Sequence, residues 1–148
     1  MKATSKARSA ARLAAVQALY QLEMERTAMA RLLDEFHQHR LGAEIEDEQY
    51  LDADTAFFDD VVRGTHARRE EIDGLITERL ATGWTLSRID KTMLQILRAG
   101  AYELLSRADV PTATVISEYL DVAHAFFDAR EAKFVNGVLD AVAKGVRA

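Results

Sequence analysis

An all-α bundle is the fold class the sequence predicts, and three observations predict it. The 148 residues hold one proline and seven glycines, so little punctuates the chain. Between those breakers the apolar residues recur in three- and four-residue steps, the mark of a helical period of about 3.6. The stretch Arg88 to Leu105, RIDKTMLQILRAGAYELL, carries apolar residues on more than one helical face, which places it in the middle of a bundle.

The first helix is expected from about Ser9 to Glu25, with Leu13, Val16, Leu19 and Tyr20 on its buried stripe. Arg8 and Arg12, four apart, share another face. Thr27 is expected to cap a second helix to about Arg40, with Met29, Leu32, Leu33 and Phe36 inward and Gly42 as its stop. Six acids between Glu44 and Asp54 then crowd a segment without a clear apolar period, read as an exposed loop. Asp54 caps a helix carrying Phe57, Phe58, Val61 and Val62. The spacing resumes at Ile72, Leu75, Ile76 and Leu80, as one bent helix or as two.

Gly83 and Trp84 mark the turn into the central helix, whose end Trp84 is expected to seal. Ser87 and Asp90 resemble a capping box with a shortened acid. Gly100, which costs about 1 kcal/mol relative to alanine inside a helix, is expected to admit another backbone closely. The connector SRADVP sets Pro111 in the first turn of the next helix, with Val115, Ile116, Tyr119, Leu120, Ala123 and Phe127 as its stripe. Asp128 and Glu131 open a last helix with Val135, Val138, Leu139 and Val142 inward, and Gly137 suggests a second close approach.

A chain of this length reads as one domain, residues 1–148, burying roughly 68 to 70% of its unfolded surface. Cysteine is absent, which excludes disulfides, thiolate metal sites and a cysteine nucleophile. No apolar run approaches the ~20 residues of a membrane span, and the basic start lacks a signal peptide's apolar core, so a cytoplasmic protein is expected. The net charge of −5 is unevenly placed. Residues 1–12 hold Lys2, Lys6, Arg8 and Arg12 and no acid, a charge of +4, which leaves −9 on the other 136 residues. The local patch, more than the sum, keeps an anionic partner open.

No catalytic set emerges: the chain lacks a G-x-S-x-G elbow, an H-E-x-x-H pair, a Walker loop and a G-x-G-x-x-G turn, so neither an enzyme nor a cofactor is expected. His37 and His39, two apart, point away from each other on a helix and read as solvated side chains, not a metal pair. The acidic loop lacks the glycine and ligand spacing of a calcium site. The N-terminal cations are more informative, because at helical spacing with no acid between them they can neutralise successive phosphates and release counterions. A solvated basic tail is the alternative. Lys133, Phe134 and Asn136 offer a cation, a ring and an amide that can meet an unstacked base, while Phe134 taken by itself also fits a core position.

The runs AVQALY at Ala15 to Tyr20, LRAGAYELL at Leu97 to Leu105, DVP at Asp109 to Pro111 and KFVNGVLD at Lys133 to Asp140 resemble the NusB family of bacterial transcription antitermination factors. The resemblance implies about seven helices in two packed bundles and binding, together with NusE, of boxA RNA in nascent rRNA transcripts. It further implies help in loading the antitermination complex on RNA polymerase, as a monomer or homodimer. On this resemblance the RNA contacts fall on Lys6, Arg8, Arg12, Tyr20, Lys133, Phe134 and Asn136, and the N-terminal charge cluster adds Lys2. The charge division suggests Asp90 and Glu103, flanking the central stripe, for a basic NusE. A NusB-like accessory domain of RsmB-type rRNA methyltransferases is the runner-up, though those chains continue into a cysteine-bearing catalytic domain. A helical protein-binding module is the third reading.

Overall fold

The computed structural model describes residues 2–39 and 54–147, with side chains from residue 6 onward. Among the described residues there are seven α-helices and no strand: α1 (Lys2–Glu25), α2 (Met29–His39), α3 (Thr55–Ala67), α4 (Arg69–Thr77), α5 (Lys91–Ser106), α6 (Thr112–Phe126) and α7 (Ala129–Val146). A single 3-10 turn, Leu86–Arg88, precedes α5. Two compact units divide the chain, Met1–Gly64 and Thr65–Ala148. The expected stop at Gly42 and the acidic loop before Asp54 lie outside the described residues.

In the first unit, α1 buries a side made mostly of alanine: Ala11, Ala14, Ala15 and Ala18, with Val16 and Leu19. Such small residues let neighbouring helices approach closely. The stripe is therefore turned from the one the larger residues suggested, and Tyr20 is 39% exposed. Arg26, at φ 55°, closes α1 in the left-handed region, its amide donating to Leu22 O. Leu32 N donates to Ala28 O, so α2 starts one residue later than a Thr27 cap implied; the Thr27 hydroxyl accepts from Gln21 Nε2 instead. Phe36 of α2 stacks on Phe58 of α3 at 5.5 Å. The Asp54 cap forms as expected, its Oδ1 accepting from Phe57 N at 2.9 Å. His37 is not simply solvated, since its Nε2 lies 2.6 Å from Asp59 Oδ1.

The second unit is built around α5, in which every residue from Met93 to Leu104 is buried. Helices α4, α6 and α7 pack against it. The apolar run from Ile72 to Leu80 lies in α4 and the turn beyond it, separated from α3 by a break at Arg68. Gly100 does admit a close neighbour, but side chains and not the expected backbone: a Cβ there would meet the Leu139 methyls at 2.9 and 3.0 Å and the Tyr119 ring at 3.4 Å. Gly137 does not, for a Cβ at that position meets nothing within 4 Å. It sits on the outer side of α7, away from the packed face.

Burial on all sides favours internal partners for the polar groups of α5, although the buried Gln95 Nε2 has none. Arg98 pairs in bidentate fashion with Asp73 of α4, Nε to Oδ1 at 2.8 Å and Nη2 to Oδ2 at 2.9 Å. Tyr119 of α6 donates its hydroxyl to Glu103 Oε2 at 2.5 Å. At the N-terminus Asp90 alone is the cap, accepting from Thr92 N and Met93 N. Ser87 lies in the preceding turn, its hydroxyl paired with that of Thr85 at 2.9 Å, so the expected capping box does not form.

At the other end Arg147, just past α7, spreads its guanidinium over the C-terminus of α5 and the connector behind it. Nε donates to Leu104 O, Nη2 to Glu103 O and Arg107 O, and Nη1 to Val110 O and Thr112 Oγ1. These bonds use the side chain's full donor set and bring a positive charge to the negative end of the helix dipole. Pro111 occupies the N-cap position of α6, one step before the first turn. Asp128 caps α7 as expected, accepting from Arg130 N and Glu131 N. No helix among the described residues is long and apolar enough to cross a membrane.

Two outcomes are expected. Arg147→Lys keeps the charge but offers at most three donors in place of a planar fork, so chemical denaturation should show a loss of about 1.5–3 kcal/mol. Asp128 carries the second. The Glu131 side-chain hydrogen bond, then the backbone amides of Arg130 and Glu131, hold its carboxyl below the ordinary 3.8. A lowered folded value means that the stabilisation is complete above the unfolded value and lost as pH falls through the folded one. The stability difference between the native chain and Asp128→Ala should thus be constant near neutrality and shrink only in that acid range.

Candidate nucleic-acid interface

The expected N-terminal cations divide when their surroundings are resolved. The side chain of Lys2 lies outside the described residues. Lys6 is exposed on α1. Arg8 is half-buried: its Nε stands 3.4 Å from Asp54 Oδ2, and its guanidinium lies 4.6 Å from the centre of the Phe57 ring. Arg12 is only 3% exposed, with its guanidinium 4.8 Å from the same ring. The four-residue spacing did put both arginines on one face, but that face is turned to Phe57. Arg12 is a packing residue of the first unit, stabilised by cation–π attraction, and is corrected out of the exposed phosphate-contacting set. Tyr20 is open to solvent on the same helix.

In the second unit Lys133 and Asn136 are exposed, three residues apart on one face of α7, while Val135, Val138 and Leu139 are buried on another. Phe134 is neither a sealed core ring nor a free one. It is half-buried, its ring centre 6.4 Å from that of Trp84 at an interplanar angle of 42°.

Trp84 corrects an expectation. It does not seal the end of α5 but is 49% exposed. The Arg88 guanidinium stands over its indole at 5.5 Å, and Arg88 Nη1 donates to Gly83 O at 2.9 Å. The reading from residue types missed this pair because a tryptophan at a helix junction suggests burial.

The two acids proposed for a basic partner separate as well. Asp90 is exposed, but one of its oxygens is committed to the α5 cap. Glu103 is 0% exposed and accepts the Tyr119 hydroxyl, so it presents nothing to a partner and is withdrawn from the protein-binding set. Glu103 does lie beside the central stripe, but on the side that faces Tyr119 of α6. Among the described residues no three histidines or acids are arranged to hold a metal ion.

A helical scaffold that shows cations, an amide and half-open aromatic rings on its outer helix faces has the character of a binding protein. A sequence model of the NusB family matches residues 9–144. A transcription antitermination protein NusB from Novosphingobium aromaticivorans is 73% identical over 144 residues, covering 97% of each chain. Among solved structures, a NusB of T. maritima is 30% identical with a TM-score of 0.75, over 93% of this chain and 90% of that one. The fold also matches that of a structure of antitermination factors NusB and NusE in complex with dsRNA, at a TM-score of 0.77 and 24% identity over 94% and 97% of the two chains. The chain belongs to the NusB family, and its Novosphingobium relative is named a transcription antitermination protein.

The half-burial of Phe134 sets its cost. Phe134→Ala should lower stability by less than the 3–5 kcal/mol of a fully buried ring, about 1–2 kcal/mol, in a thermal or denaturant melt. A loss at the full core value would return the ring to the core.

Proposed function

We propose that this chain is an RNA-binding antitermination factor that, together with NusE, holds boxA-type single-stranded RNA of nascent rRNA transcripts. It thereby supports assembly of the antitermination complex on RNA polymerase, in the cytoplasm. The observation that carries the reading is the surface of α7, where exposed Lys133 and Asn136 flank the half-open ring of Phe134. A cation meets the phosphate, a ring the face of an unstacked base and an amide its edge. Lys6 and Arg8 add sequence-independent phosphate contacts from α1, and Tyr20 a further ring. The match of the family to residues 9–144, across both units, supports their working as one domain. For NusE, Asp90 stays the candidate, and Asp90→Asn is the suitable variant because asparagine preserves the cap.

Filter binding of boxA RNA, with and without purified NusE, tests the reading. Lys6→Glu with Arg8→Glu should weaken binding and flatten its salt dependence, each lost phosphate contact removing about 0.7 from the logarithmic slope for a single strand. Arg12 is left unchanged, since its burial would confuse binding with folding. An unaltered slope removes α1 from the interface, and no binding in either condition refutes the function.

A further inference from the structure

We propose that Trp84, backed by Phe134 and carrying Arg88, is a second base-stacking position for single-stranded RNA, adjoining the Lys133, Phe134 and Asn136 surface. The inference rests on the RNA-binding reading of that surface and extends it to two residues on the turn before α5. An indole left half open to solvent forgoes much of the burial a tryptophan usually gains. Here its position is defined on two sides, by the tilted Phe134 ring and by the Arg88 guanidinium. Gly83 makes that placement possible: at φ 91° it supplies a turn that other residues adopt only with strain. The carbonyl of the same glycine anchors Arg88.

Charge selects the occupant. Among the described residues neither Arg88 nor Lys133 has an acidic partner, so both retain positive charge beside the two rings. Cations next to exposed rings suit a ligand that carries phosphates and flat π faces in alternation, which is the chemistry of a single-stranded nucleic acid. The ring of Trp84 therefore continues the stacking surface of Phe134, with Arg88 placed for the phosphate of the base it holds.

The chain contains one tryptophan beside four tyrosines, so emission excited selectively at the long-wavelength edge of the indole band reports this position alone. Titration with unlabelled boxA RNA should change that emission saturably, with a midpoint equal to the Kd from fluorescence polarisation of labelled RNA. Trp84→Ala should weaken RNA binding about 5- to 150-fold, the range for a lost base stack, and Trp84→Phe should recover part of it. Arg88→Gln should flatten the salt dependence. If Phe134→Ala and the α1 variants lose affinity while Trp84 emission and Trp84→Ala binding stay unchanged, the inference falls and the proposed function stands. If no variant or condition binds RNA, both fall. Emission that responds to NusE but not to RNA, with Trp84→Ala weakening only the NusE complex, reassigns the surface to protein docking and overturns the proposal. Should Trp84→Ala fail to fold, the native emission and Arg88→Gln still decide.

Discussion

Burial of α5 from Met93 to Leu104 is the constraint on which the second unit depends. A helix enclosed by α4, α6 and α7 along Met93–Leu104 has little water to satisfy the polar side chains it carries there. Each surrounding element therefore brings a partner as well as apolar surface: Asp73 from α4 for Arg98, Tyr119 from α6 for Glu103, and Arg147 from the end of α7 for the last carbonyls. Breaking any of these leaves a buried group short of a partner, which is costlier than never having had the pair. The same logic fixes where function can sit. With α5 sheathed, only the outer sides of its neighbours and the turns between them are available to a macromolecule. That is where Lys133, Phe134, Asn136, Trp84 and Arg88 are found.

What could be read from the sequence follows from the range of the interactions involved. Helix positions and the Asp54 and Asp128 caps depend on residues within one or two turns, and the structure contains them. Gly100 was legible because a glycine inside an otherwise strong helical pattern has a cost that only a close neighbour offsets. Gly137 had the same local pattern and no such neighbour, so the rule that succeeded at one glycine failed at the other. Arg12 and Glu103 failed for a common reason. Charge argues for solvent, and the partners that overturn it, Phe57 and Tyr119, lie 45 and 16 positions further along the chain. Tertiary contacts decided both.

Asp54 shows how one carboxylate links local structure to the candidate interface. One of its oxygens caps α3 through Phe57 N, and the other accepts from Arg8 Nε. The ring of Phe57 then receives both Arg8 and Arg12. The start of α3 and the cationic face of α1 are thereby ordered together, and the alanine-rich side of α1 can settle into its core without leaving two guanidiniums unsupported.

Arg8 and Arg88 are held by different means, and the difference bears on anion binding. Arg8 is shared between a ring and the Asp54 carboxylate, so a phosphate approaching it competes with an acid already 3.4 Å away. Arg88 is positioned by a ring and a neutral carbonyl. A cation–π contact fixes a guanidinium without cancelling its charge, and a backbone carbonyl directs it while contributing only a dipole. Preorganisation without neutralisation lets a group meet a phosphate with little entropy left to lose and no ion pair to break. On that physical ground, Arg88 is the better placed of the two to meet a phosphate, although Arg8 lies in the more conspicuously basic stretch of sequence.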